Sequence, residues 1–204
     1  MGIKINQYTN EIFAINDLDY FDSDAWDGVG YKSSKLSGAN LRTQVEAWAG
    51  NKNFGSFYDL STQTCASGSI KAMETASSDS FNNGVFVGTD IFVKKTLFSV
   101  ADPGVYNVQF SAQFNRTSGG SSKTISIWLR KNGTDVPNSA THVSVQANAG
   151  KLVAAWNFFI DIGSTDAIQI MWSQDDAIDI LYQSADLALP HPAIPSVIVT
   201  INQL

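Results

Sequence analysis

The stretch Val105–Asn115, VYNVQFSAQFN, decides the fold. Tyr106, Val108, Phe110, Ala112 and Phe114 fall on one set of alternate positions; Asn107, Gln109, Ser111 and Gln113 fall on the other. A period of two is that of a strand with one face on a core and the other on polar surroundings. The same pattern recurs on both sides. Downstream, Ile125, Ile127 and Leu129 alternate with Ser126, Trp128 and Arg130. Leu152, Ala154, Trp156, Phe158, Ile160 and Ile162 form a longer face. Ile168, Ile170 and Trp172 follow, then Ile178, Ile180 and Tyr182, and finally Val197, Val199 and Ile201. Upstream, Val85–Val93 and Thr96–Val100 give two shorter runs.

Turn chemistry separates these runs. Pro103-Gly104, Ser118-Gly119-Gly120, Asn132-Gly133, Gly163-Ser164 and Asp175-Asp176 stand where the chain must reverse. Lys131-Asn132-Gly133-Thr134 is the strongest hairpin signal, because Asn-Gly accepts the positive φ angles of a two-residue turn. Short strands with regular turns predict an antiparallel sandwich or barrel and not βαβ units.

Residues 1–56 differ in texture. Asp17, Asp19, Asp22, Asp24 and Asp27 are interleaved with Leu18, Tyr20, Phe21 and Trp26. Leu41, Val45 and Trp48 share one helical face, with Ser37 placed to cap and Gly50 to terminate, so a short helix is expected over 39–49. Asn51–Ser56 reads as a linker. The expected organisation is an N-terminal arm, residues 1–56, and a β-domain, residues 57–204.

Composition narrows the function. The 204 residues are 44% hydrophobic, enough for a core, and 16% charged. Thirteen basic and nineteen acidic residues give a net charge of -6, which lacks the footprint of a nucleic-acid binder. No purely apolar run approaches the ~20 residues of a membrane span, and MGIKINQYTN shows no secretion signal. Met1-Gly2 starts a myristoylation motif that Asn6 leaves incomplete. Cys65 alone allows neither an internal disulfide nor a Cys-rich zinc site.

Catalytic signals are sparse. His142 and His191 stand far apart, and no nucleophile elbow or phosphate-binding glycine loop is present. The Asp17–Asp27 cluster lacks the glycine and glutamate of a calcium loop and reads as a solvated acidic segment. Asp175, Asp176 and Asp179 read as an acidic turn, with a cation site as the alternative. Asn115-Arg116-Thr117 and Asn132-Gly133-Thr134 match a glycosylation pattern that has no export signal to support it. No catalytic residue, metal or cofactor is expected.

Apolar residues on the off face carry more information. If Ile125, Ile127 and Leu129 face the core, Trp128 faces out; by the same parity so do Phe159, Met171 and Leu181. Either these strands are covered on both faces by other parts of the chain, or Trp128, Phe159, Met171 and Leu181 meet a second copy. Ile12, Phe13, Tyr20, Phe21, Trp26 and Tyr31 in the arm are too few to form an independent core and need a surface to pack on.

Gly104–Ser111, GVYNVQFS, resembles the G-x-Y-x-x-x-F strand of C1q/TNF-like jelly rolls, and Phe158–Trp172 resembles two strands of that family joined by a turn. In this chain Ser164-Thr165-Asp166 stands where the family usually has Gly-Asp. Ile127–Gly133, IWLRKNG, and the ending Pro195–Ile201, PSVIVTI, resemble segments of C1q-like domains in bacteriophage virion proteins, as does YKSSKLSGANLRT in the arm. The resemblance covers 57–204 and implies an all-β antiparallel jelly-roll sandwich with a short, partly helical N-terminal segment. It also implies a homotrimer on a virion, without catalytic residues. Lacking a coiled coil or repeat for a shaft, the chain suits a capsid cement (decoration) protein better than a tail fibre. Its expected partners are itself and the major capsid protein on the capsid surface, with no nucleic acid or membrane. Trp128, Phe159, Met171 and Leu181 are the expected trimer contacts. Phe13, Tyr20, Phe21, Trp26 and Tyr31 are the expected shell contacts. The alternatives are a short tail-fibre or baseplate receptor-binding protein, and a carbohydrate-binding module.

Overall fold

The computed structural model describes residues 20–26, 31–37, 52–75, 77–78, 82–90, 94–188 and 190–204. The chain divides into two units, Met1–Asn51 and Lys52–Leu204. In the first, β1 (Tyr20–Trp26) pairs antiparallel with β2 (Tyr31–Ser37), in a register that sets Trp26 opposite Tyr31 and Phe21 opposite Leu36. The helix expected over 39–49 lies outside the described residues, as do Ile12 and Phe13.

The second unit is all-β. It begins with β3 (Phe54–Asp59), β4 (Gln63–Thr64), β5 (Ile70–Ala72), β6 (Ser77–Ser78) and β7 (Val85–Thr89). It continues with β8 (Lys95–Val100), β9 (Gly104–Arg116), β10 (Lys123–Lys131), β11 (Thr134–Asp135) and β12 (Thr141–Val145). It ends with β13 (Lys151–Ile162), β14 (Ile168–Gln174), β15 (Ile178–Ile180) and β16 (Val197–Gln203). All pairings are antiparallel and form two seven-stranded sheets, a β-sandwich. One sheet runs β11-β10-β14-β8-β7, with β12 on β10 and β5 on β14. The other runs β4-β15-β9-β16-β3-β6, with β13 on β9.

The inward residues are those the alternation predicts. Tyr106, Val108, Ala112, Phe114, Ile125, Ile127, Leu129, Ile168, Ile170, Trp172, Val197, Val199 and Ile201 are all buried in one cluster. Phe114 from one sheet meets Trp172 from the other, and Phe57 meets Phe98. Each such side chain contributes roughly 1.5–3 kcal/mol by leaving water. At one end of the core the buried Arg116 donates from Nη1 to the Asp176 carbonyl and lies 3.7 Å from its carboxylate, pinning β9 to the turn before β15.

The expected linker over Asn51–Ser56 is corrected: Phe54, Gly55 and Ser56 belong to β3. Gly55 occupies an inward position and breaks the apolar alternation, which hides the strand from a pattern reading. It is small because the Phe57 ring lies 2.7 Å from where its Cβ would stand. The Asn132-Gly133 hairpin forms as expected, with φ of 51° and 79° joining β10 to β11.

Candidate interaction surface

Strand β9 sits at the centre of its sheet. Tyr106–Ala112 pair with β16 and Phe114–Arg116 with β15, while β13 lies along the opposite side from Gly104 to Asn115. β13 is therefore an edge strand among the described residues. On its inward side Trp156 packs edge-on against Phe110 at 4.6 Å between ring centroids.

The outward side of this sheet lacks charge over several rows. One row runs Phe159, Asn107, Asn202, Phe54 across β13, β9, β16 and β3. The next runs Asn157, Gln109, Thr200, Ser56, and the next Ala155, Ser111, Ile198, Tyr58. Val153 stands opposite Gln113 beyond them. Side-chain amides bond across strands: Asn157 Nδ2 donates to Asn107 Oδ1 at 3.1 Å, and Asn107 Nδ2 to Asn202 Oδ1 at 3.4 Å. Phe159 is 64% exposed and Val153 55%; Val105, Phe54 and Ile198 are also exposed. At the rim of the described residues stand charges that include Lys52, Lys151, Asp161 and Asp179. Burial raises the Asp179 carboxyl above its ordinary range. Depletion of charge on a face that keeps exposed aromatic and aliphatic groups is a feature of interface cores.

The residues expected at a trimer contact do not gather into one patch. Phe159 lies on the uncharged face. Trp128 and Met171 face away from the main core, as parity predicts, but are only 9% and 4% exposed. Of the two readings the parity leaves open, cover by other parts of the chain holds for Trp128 and Met171. They are cross-strand neighbours in a row with Ala72 and cover one another in a second small cluster. Trp128 Nε1 also donates to Asp135 Oδ1 at 2.8 Å. Leu181 lies just beyond β15, half-buried, its N–H bonded to the Gln113 carbonyl. Of the expected shell contacts, Trp26 and Tyr31 are partners at one end of the β1–β2 pairing, and Tyr20 and Phe21 lie at its other end. Phe13 is outside the described residues.

The polar candidates have local partners. Asp175 Oδ2 accepts the Thr124 N–H, Asp176 faces Arg116 and Lys123, and Asp179 stands apart on β15. No three His, Cys, Asp or Glu residues are grouped to hold a metal among the described residues. His142 Nδ1 is 2.9 Å from Ser126 Oγ on an exposed strand pair, and His191 Nδ1 bonds the Pro192 carbonyl.

Sequence reasoning missed most of the uncharged face. The signal was there: the outward positions of Val105–Asn115, Val153–Phe159 and Ile198–Asn202 hold no charged residue. The chain matches no protein-family model and no curated protein sequence.

Proposed function

We propose that this chain is a bacteriophage virion structural protein, a capsid cement protein that acts as a homotrimer without catalysis. The observation that carries the reading is the uncharged outward face of the β9-centred sheet. A chain of net charge -6 that keeps such a broad sheet face free of ionised groups has a surface suited to a copy of itself. The strand pairings, mostly between elements distant in sequence, support a C1q/TNF-like jelly roll within the β-sandwich. The β1–β2 hairpin supports an attachment role for the first unit. A two-stranded hairpin buries little by itself, and this one sets Trp26 against Tyr31 in register. Three such elements on one trimer would bind the major capsid protein with the gain of linked sites.

Light scattering on the purified protein tests the oligomer, with an expected mass about three times the 22.1 kDa chain. Deleting residues 1–50 tests attachment. The expected product is a folded trimer that no longer decorates particles; normal decoration by the truncated protein would overturn the role of the hairpin.

A further inference from the structure

We propose that Asn83 is a site of spontaneous deamidation, and that the carboxylate formed there loosens the contact between copies of this chain. The second half of the proposal rests on the self-association reading above.

The chain holds two Asn-Gly pairs, Asn83-Gly84 and Asn132-Gly133. In such a pair the backbone nitrogen after the asparagine reaches the side-chain carbonyl carbon with no Cβ in the way. The Gly84 nitrogen adds to Asn83 Cγ and closes a five-membered imide. The carboxamide nitrogen leaves as ammonia and takes the Gly84 amide proton with it. Water then opens the ring at either carbonyl, to aspartate or to isoaspartate. The net change consumes one water, releases one ammonia and adds one negative charge.

The two pairs differ in what holds the carboxamide. At Asn132 both ends are tied: Nδ2 donates to Asp166 Oδ1 at 2.6 Å, and Oδ1 accepts the Ala167 N–H at 2.8 Å. Asn83 is exposed, and its carboxamide makes no hydrogen bond among the described residues. Both bonds must break before the Asn132 side chain can turn toward the Gly133 nitrogen, which slows that site roughly tenfold or more. The fold also holds a glycine at 84. Its φ is +64°, and Oδ1 of the buried Asn53 stands against the place of an added Cβ.

Register puts the product on the uncharged face. Phe54 and Asn83 are antiparallel bridge partners: the Phe54 N–H donates to the Asn83 carbonyl at 2.8 Å, and the Asn83 N–H to the Phe54 carbonyl at 2.7 Å. Directly opposed residues share one side of a sheet. Asn83 therefore extends the row Phe159, Asn107, Asn202, Phe54 by one position, and its conversion adds a carboxylate to that row. The isoaspartate route does more. It carries the main chain through Cβ and Cγ, and turns the carbonyl that Phe54 bonds into a free carboxylate. A like charge on every copy disfavours their contact.

Peptide mass mapping tests the site. The full chain is held folded at mildly alkaline pH, with a second sample in denaturant. In the folded sample a gain of about one mass unit is expected at Asn83, at least roughly ten times faster than at Asn132; in denaturant the two rates should be similar. No gain at Asn83, or equal rates at the two pairs in the folded protein, would overturn the assignment. Asn83→Asp stands for the aspartate product, and Asn83→Ser removes the reactive carboxamide. Sedimentation should show Asn83→Asp assembling only at a several-fold higher concentration than the parent, and Asn83→Ser assembling like it. If Asn83 deamidates but Asn83→Asp assembles normally, the effect on the contact is wrong, while the site and self-association stand. A monomeric unaltered protein would overturn self-association and the effect on it, and the mass gain at Asn83 would still decide the site.

Discussion

Lys131 Nζ lies 2.6 Å from Asp166 Oδ2, tying the Asn132-Gly133 hairpin to the turn after β13. Asp166 also accepts the Gly163 N–H at 2.7 Å and Asn132 Nδ2 at 2.6 Å. The Lys131 ammonium first, then the Gly163 amide and Asn132, hold its carboxyl down at about 2. A carboxylate with a depressed folded pKa stabilises the fold fully above its unfolded value near 3.8, and that contribution fades as pH falls through about 2. Asp166→Asn should therefore lower the melting temperature at pH 5 to 7, with a gap from the parent that closes as pH approaches 2. A gap that stays constant across a thermal titration from pH 6 to pH 2 would contradict the assignment.

The aromatic contact between the sheets should dominate core stability. Phe114 and Trp172 meet edge to face with centroids 5.8 Å apart, and both are fully buried. Phe114→Ala removes that contact and leaves a cavity, at a cost of about 3–5 kcal/mol. Thermal unfolding should show a fall of roughly 10 °C. A fall of only a degree or two would mean that the sheets close over the gap.

Gly133 isolates a backbone effect. Its φ is +79°, and no atom stands near the position of an added Cβ. Gly133→Ala should cost about 1 kcal/mol through conformation alone. Gly120→Ala, with equally open surroundings and no positive φ, should be neutral within ~0.5 kcal/mol. Chemical denaturation of the two variants side by side separates the strain of a positive φ from the effect of an added methyl group.

A charge on the uncharged face should act on assembly and not on folding. Gln109 lies in the middle of that face and is exposed in the single chain. Gln109→Lys is expected to leave dilute-solution unfolding within ~0.5 kcal/mol of the parent while weakening self-association at least tenfold. Trp128→Phe makes the contrast. It loses the bond to Asp135, worth about 1 kcal/mol, but Asp135 keeps Arg130 at 2.7 Å and assembly should be unchanged. Sedimentation of both variants over a concentration series reads the two effects separately. Assembly lost in Trp128→Phe and kept in Gln109→Lys would place the contact on the other sheet.

The sequence by itself determined the long strands of the β-domain and their inward faces, though not β3, whose alternation Gly55 breaks. Strand alternation is a local property: in Val105–Asn115 each side chain's face follows from its neighbours two positions away. Asn132-Gly133 was equally legible, because two adjacent residues carry the whole requirement for positive φ. Tertiary structure decided which outward residues meet water. Trp128 and Met171 share the parity of an exposed face, yet they are buried because β10, β14 and β5 bring Trp128, Met171 and Ala72 into one row. Phe159 has the same parity and stays exposed, because its row on the edge strand β13 continues into Asn107 and Asn202 and offers no apolar cover. The uncharged face draws on β3, β9, β13 and β16, segments whose pairing no local pattern encodes. The bond from the Leu181 N–H to the Gln113 carbonyl is likewise a long-range choice. Periodicity fixes the direction of a side chain; what lies in that direction depends on strands brought together from distant parts of the chain.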